Sequence, residues 1–323
     1  MLKGDVMTIR KINTKKSKKT VAEKIIWTAI FIFLIIYTIL FLSLLLWGIN
    51  TSFKSYTDFS LLENYIGLPS SEFSKKEIAF GNYKVAIKEL SYNIRKTFYS
   101  NGTLIVNSEN ITFGKTLFNT IIYAGGGAVL LAFVPMLMGY CCSQYKFVVS
   151  KIINTIVIFA MIMPTIGSES SLLSLLMSLN LYDKLYGTLI LNASFTGMYF
   201  LVFQAFFDGL SGAYVEAAEI DGASQTMIFF RIMIPLAIKV FGTVVLLHFI
   251  GLWNNYQTPM VLIPTHPTFA YTVYHLGFKG TGVFKTVPVQ LALVLVLTMP
   301  ILVLFLFFRD KIMGGVAIGG VKE

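Results

Sequence analysis

Charge is scarce in this sequence. Asp, Glu, Lys and Arg make up only 13% of its 323 residues while 55% are hydrophobic, against roughly 25% charged in soluble domains. Cysteine is nearly absent: Cys141 and Cys142 are adjacent, which excludes a disulfide framework. The three histidines, His248, His266 and His275, share no ligand spacing, so a metal centre is not expected. A phosphate-binding loop is missing too. Gly114-Lys115-Thr116 copies the end of one, but Glu109 stands where that loop needs glycine. Redox, zinc and nucleotide chemistry are therefore not expected of this chain, and a mean hydropathy of +0.72 points to a membrane.

What is present are long apolar runs. A hydrocarbon core about 30 Å thick needs about 20 mostly apolar helical residues. Six runs meet that length: 25–47, 118–139, 152–177 (broken by Pro164 and a polar patch), 185–207, 234–253 and 287–308. Continuous runs of this kind are helical rather than alternating, so the fold class is all-α integral membrane with six transmembrane helices. The first run is too long for a signal-peptide core, and no small-x-small cleavage site follows it, which makes it a retained anchor.

Orientation follows from basic residues, which stay on the cytoplasmic side. Of 26 Lys and Arg, eight lie in the first 24 residues (Lys3, Arg10, Lys11, Lys15, Lys16, Lys18, Lys19 and Lys24). This asymmetry accounts for the net charge of +10 without nucleic acid. Both termini are expected inside, with Lys146 and Lys151 on an inner loop and Arg309 and Lys311 after the last span. The chain then divides into a basic tail (1–24), a first span (25–50), an outer loop (51–112), a permease-like core (113–308) and an inner tail (309–323). Within the outer loop, Tyr83, Ala86, Ile87, Leu90, Ile94 and Phe98 recur at helical spacing, so a surface helix over 82–99 is expected, to meet a partner or cap the bundle.

The segment 214–235 is too polar to span and too regular for a loop. It reads as helix, turn, helix: Glu216 to Ile220 form a short helix, Gly222 allows the turn, and Met227 to Ile234 lead through Pro235 into the fifth span. Ala217 and Ala218 are small enough for a neighbouring surface to close on them, leaving Glu216 free to hold a basic or amide partner at the rim.

This segment resembles the permease signature of ATP-binding-cassette importers, Glu-Ala-Ala, three residues, Gly, nine residues, Ile-x-Leu-Pro. Here it is Glu216-Ala217-Ala218, Gly222, Ile232, Ile234 and Pro235, with Ile234 in place of the usual Leu. Gly81-Asn82-Tyr83, Phe118-Asn119-Thr120, Gly139-Tyr140, Trp253-Asn254-Asn255-Tyr256 and Gly319-Gly320-Val321-Lys322 are similar, in order, to markers of the second permease of maltose-type carbohydrate importers. About 20 extra residues between Asn82 and Asn119 depart from that pattern.

The resemblance implies a permease subunit in a bacterial cell membrane, importing a sugar or oligosaccharide. Its partners would be a homologous permease, two ATPase subunits and an extracytoplasmic solute-binding protein, besides membrane lipid and without nucleic acid. No cofactor is expected on this chain; ATP and Mg would be held by the ATPases, so the chain itself is not an enzyme. Glu216, Ala217, Ala218, Asp221, Gly222, Ile232 and Pro235 would couple ATPase closure to the spans through a cytoplasmic coupling helix between spans four and five. Glu169 lies at membrane depth, where a lone carboxylate is costly, and is expected either to line the pathway or to hold a broken helix. Asn192, Gln204, Asn254 and Asn255 suit sugar hydroxyls, and Trp253, Tyr256 and Phe200 suit a pyranose face; interhelical amides equally serve as structural glue. Gly125-Gly126-Gly127 is expected to permit close helix packing. The Asn101 and Asn110 sequons carry no weight in a bacterial importer. Import of another polar solute, a self-contained ion-driven transporter and a membrane receptor are the alternative readings. The last two lack, respectively, inverted repeats with paired intramembrane charges and any use for the 216–235 element.

Overall fold

The computed structural model describes residues 20–69, 81–88, 92–100, 103–145, 147–163, 167–279 and 285–316; the side chains of 92–108, 279 and 309–316 lie outside that description. The basic tail over 1–19, Lys146, Pro164, the Asn101 sequon and the Gly319 to Lys322 marker also fall outside it. Two compact units make up the chain, Met1–Asn50 and Thr51–Glu323.

Helix α1 (Val21–Ser52) begins in the first unit. Thr20 and Glu23 form a capping box at its start: the Thr20 N–H donates to Glu23 Oε2 at 2.8 Å and the Glu23 N–H to Thr20 Oγ1 at 3.4 Å. From Ile25 to Trp47 the helix has no polar stripe, the pattern of a helix apolar on every side.

In the second unit, only the first part of the expected outer-loop helix forms, as α2 (Gly81–Lys88). The rest is an antiparallel hairpin of β1 (Tyr92–Ser100) and β2 (Thr103–Ile111), in register from Tyr92↔Ile111 to Ser100↔Thr103. This corrects the helical reading of 82–99. Ile94, Thr97, Phe98 and Tyr99 favour strands, and the register leaves Asn101-Gly102 as the connection, the dipeptide most favoured for two-residue hairpin loops. The insertion between Asn82 and Asn119 is largely this hairpin.

Helix α3 (Phe113–Gln144) contains a π-helical stretch at Ile121–Gly126. Next come α4 (Val148–Ile162) and α5 (Ser168–Ser178), the latter entered through Gly167 at φ +80°. The fourth apolar run is not one helix but two, α6 (Leu185–Asn192) and α7 (Met198–Asp208). Between them Ser194 and Thr196 hydrogen-bond each other at 2.9 Å, and Gly197 sits at φ +137°. Short hydroxyl side chains that bond locally compete with helical pairing, which accounts for the break.

The short helix α8 (Ala213–Ile220) precedes α9 (Gln225–Asn254). In α9 a π-helical turn at Phe229–Met233 comes just before Pro235; its wider winding suits a residue without an N–H whose ring crowds the preceding turn. Helices α10 (Gln257–Leu262), α11 (Phe269–Lys279) and α12 (Val287–Val316) complete the described chain. Among the described residues, four helices are long and apolar enough to cross a membrane: α1, α3, α9 and the Val287–Phe308 part of α12; α4 and α7 are shorter apolar helices.

The largest core joins Ala132, Met136 and Tyr140 of α3 to Phe203 and Phe207 of α7, Ala218 of α8, and Ile228, Phe229, Met233, Ala237 and Val244 of α9. Gly139 lets α3 and α7 approach: a Cβ there would lie 2.9 Å from the Gln204 backbone N and 3.1 Å from the Phe200 carbonyl O. A second core holds Ala86 of α2 between Phe269, Val273 and Leu276 of α11 and Val289 and Leu293 of α12. Cys142 is buried with Val157 and Phe200.

Candidate functional site

The sequence between α7 and α9 builds a helix-turn-helix. Gly222 closes α8 in the left-handed region, φ +77°, where a side chain would be strained. Ser224 then caps α9, its Oγ accepting the Met227 N–H at 3.3 Å. One face of α8 is rooted and the other is open. Ala218 is buried in the large core, whereas Glu216, Ala217, Asp221 and Gly222 are exposed and Ile220 is 86% exposed. Ile232 packs half-buried against the same core, and Pro235 is exposed.

Beyond the signature, one polar link braces this element internally and another ties it to the residue that follows α3. Gln225 Nε2 donates to Glu219 Oε1 at 2.6 Å, and the Tyr145 hydroxyl donates to Gln225 Oε1 at 3.2 Å. Nearby, Ser143 Oγ donates to Asp208 Oδ1 at 2.9 Å, joining α3 to the end of α7. Below them Tyr140 meets Phe207 edge-on at 5.3 Å and Phe229 at 4.9 Å between ring centres. Ala218, Tyr140, Phe207 and Phe229 thus belong to one buried cluster that joins α8 to α3, α7 and α9. These links were not read from the sequence; Tyr145 and Gln225 lie 80 positions apart.

The expected pathway residues lie on different elements. Glu169 is exposed in the first turn of α5, where a carboxylate is favoured by the helix dipole. Asn192 ends α6 and its side-chain nitrogen is buried with no hydrogen-bond partner among the described residues, packed against Gly127, where a Cβ would collide with it. Gly125, by contrast, has nothing within 4 Å of a Cβ. Gln204 is half-buried on α7 beside Gly139.

Residues 253 to 256 are used locally. The Trp253 indole N–H donates to the Leu297 carbonyl at 3.0 Å, and its ring is buried with Tyr123, Ala124 and Ile263. Asn254 is exposed and its amide donates to the Ile250 carbonyl. Asn255 caps α10, accepting the Thr258 N–H at 3.1 Å and donating to Thr258 Oγ1 at 2.9 Å. Tyr256 stacks on Tyr274 with ring centres 4.2 Å apart.

Other marker residues also turn out to be fasteners. Asn82 donates to the Ser52 and Lys54 carbonyls at 2.8 Å each, and the Tyr83 and Ser52 hydroxyls lie 2.6 Å apart. Thr120 Oγ1 accepts the Phe269 N–H at 2.7 Å, and Asn119 donates to the Pro267 carbonyl. Lys115, of the imitation phosphate loop, is ion-paired with Glu109.

One polar lock was not foreseen. Asp183, at φ +56°, accepts the Thr265 N–H on Oδ1 at 3.0 Å and the Thr265 hydroxyl on Oδ2 at 2.7 Å, with His266 Nδ1 3.5 Å away. Burial alone would raise the carboxyl, but the hydrogen bonds from His266 and Thr265 outweigh it and hold it below its ordinary value.

Long apolar helices packed around a helix-turn-helix with one open face mark the chain as a membrane component. The family comparison is direct: residues 132–310, more than half of the chain, match the binding-protein-dependent transport system inner membrane component family, and the chain belongs to it. It is thus an inner membrane component of a transport system that works with a binding protein.

Among its relatives, it is 28% identical to the arabinooligosaccharides transport system permease protein AraQ of Bacillus subtilis, over 69% of this chain and 79% of that one. It is 26% identical to the melibiose/raffinose/stachyose import permease protein MelC of the same species, over 66% and 78%. The fold is similar, with TM-score 0.70, to a chain in the crystal structure of a bacterial ABC transporter involved in the import of the acidic polysaccharide alginate. That likeness has 20% identity and covers 91% of this chain and 98% of that one.

Proposed function

We propose that this chain is one of two permease subunits of an ATP-driven, binding-protein-dependent importer of a sugar or oligosaccharide. The observation that carries the reading is the helix-turn-helix over 213–235: its Glu216-Ala217-Ala218 and Gly222 face is open while Ala218 is anchored in the core shared by α3, α7 and α9. The relatives named for oligosaccharide uptake support the cargo class.

In this reading six spans are formed by α1, α3, α4 with α5, α6 with α7, α9 and α12, with both termini cytoplasmic. A homologous permease completes the pathway, two ATPase subunits hold ATP and Mg, and a solute-binding protein delivers cargo to the outer face. Residues 216–235 seat the ATPase; Glu216 and Asp221 meet basic or amide groups at the rim, and Ile232 and Pro235 transmit the tilt into α9. Glu169, Asn192, Gln204, Asn254 and Tyr256 face the pathway, whereas Trp253 and Asn255 shape its wall.

The test is Gly222→Asp. With φ at +77°, a side chain at this position costs about 1 kcal/mol and puts a charge on the docking face. The chain is expected to reach the membrane in normal amount, lose uptake and release the ATPase during purification. Normal uptake with the ATPase retained contradicts the coupling role. In the same assay Glu169→Gln should lower uptake without lowering membrane insertion, and unaltered kinetics would leave Glu169 a purely structural group.

A further inference from the structure

Backbone bonds close the end of α8. The Ala223 N–H donates to the Ala218 carbonyl at 2.9 Å and the Gly222 N–H to the Glu219 carbonyl at 3.0 Å, the paired bonds of a Schellman ending that Gly222 permits at φ +77°. Among the described residues, the side-chain hydrogen bond that crosses from α8 to α9 is Gln225 Nε2 to Glu219 Oε1, at 2.6 Å. A carboxylate acceptor makes this bond the stronger kind and fixes which end of the Gln225 amide faces it. The amide oxygen is left for Tyr145, whose hydroxyl donates to it at 3.2 Å. Every donor in this chain points towards the carboxylate, so each bond polarises the next.

Tyr145 is itself held where α3, long enough to cross a membrane, gives way to α4. Its N–H donates to the Cys141 carbonyl at 2.9 Å, its carbonyl accepts the Phe147 N–H at 2.9 Å, and its ring meets Phe147 edge-on at 6.5 Å between ring centres. Glu219 is thereby engaged within the chain, while Glu216, Ala217 and Ile220 of α8 are left open. The apolar seat of Ala218 keeps α8 against the core but is non-directional. Hydrogen bonds are directional and set how the helix is turned about its own axis. Because Tyr145 is 41% exposed, its bond adds little to folding.

We propose that Tyr145 is a positioning residue for energy coupling: acting through Gln225 and Glu219, it ties α8 to the end of α3, so that the ATPase and the binding protein sense each other through α3 as well as α9. This role rests on the importer reading of 213–235.

The experiment uses the whole complex of this chain, its partner permease and its ATPases in proteoliposomes, with and without its binding protein, and with raffinose, stachyose and arabinotriose as probes. Tyr145→Phe removes one hydroxyl and keeps the ring. The variant should assemble in normal amount and hydrolyse ATP at the wild-type rate without the binding protein, while stimulation of hydrolysis by the binding protein falls roughly threefold or more. Gln225→Ala should lose at least as much stimulation. The double variant should be no worse than Gln225→Ala alone, because both changes break one chain.

Unchanged stimulation in Tyr145→Phe overturns the proposal, and so do additive losses in the double variant. Basal and stimulated hydrolysis falling in step, or ATPase lost on purification, also overturns it by making Tyr145 a part of the ATPase seat. Uptake separates the two levels of the reading. A wild type that is stimulated but imports none of the probes contradicts the sugar cargo, and the Tyr145 role is still decided by stimulation. A wild type that is not stimulated overturns the coupling reading and the proposal together.

Discussion

Asp183 holds an unusual backbone conformation for a non-glycine residue, φ +56°, and accepts the Thr265 N–H and hydroxyl with His266 beside it, both residues from the segment after α10. Because its folded pKa is depressed, its contribution to stability is complete above the ordinary carboxylate value and is lost as pH falls through the lower, folded one. Asn tolerates the same backbone conformation, so Asp183→Asn isolates the charge. We expect it to cost about 1–2 kcal/mol near neutral pH. The gap to wild type should close as the pH falls below about 4; a gap constant across that range, by thermal unfolding of the assembled complex, would contradict the ionised lock. None of this was legible in the sequence, because Asp183 and Thr265 are 82 positions apart and a single sequence does not pair them. Trp253, Asn255, Asn82 and Thr120 carry the same lesson. Polar and aromatic residues standing at family markers look like ligand groups, yet in the fold their hydrogen bonds go to backbone and neighbouring side chains of the chain itself.

At the scale of elements, contact between α3 and α7 decides whether the large core forms. Gly139→Ala places a methyl group against the Gln204 N and Phe200 O backbone atoms, which cannot rotate away. A loss of about 1–3 kcal/mol is expected, read as a lower unfolding temperature in detergent, and an unchanged temperature would mean the two helices part freely. Ala218→Glu separates coupling from folding in another way, by forcing a charge into the rooted face of α8. It should leave α1 and α12 inserted but weaken ATPase retention, and full retention would show that α8 does not need its anchor. The helix-turn-helix was readable in advance because its signals are local: a glycine at the turn and regular spacing on either side. The hairpin was not, since Ile94 and Phe98 fit helical and alternating patterns alike over so short a stretch; Asn101-Gly102, taken only as half of a sequon, was the signal that distinguished them. The breaks in the third and fourth runs differ in the same way. Pro164 announced the first, whereas Ser194, Thr196 and Gly197 act through local bonds that hydropathy does not register.

For the whole molecule, the family places the chain in a transport system of several components, and its open surfaces agree with that. The open face of α8 is left for something other than this chain. Long apolar helices were the most legible feature of all, because length and composition alone specify them; the division of the remaining runs into shorter helices depends on packing that one chain's hydropathy does not contain. The most direct measurement is native mass spectrometry of the complex purified in mild detergent from its own membrane. One copy of this chain with one homologous permease and two ATPase copies is the expected composition. The chain alone, or only with copies of itself, under conditions where a known importer stays intact, would contradict the account at its centre.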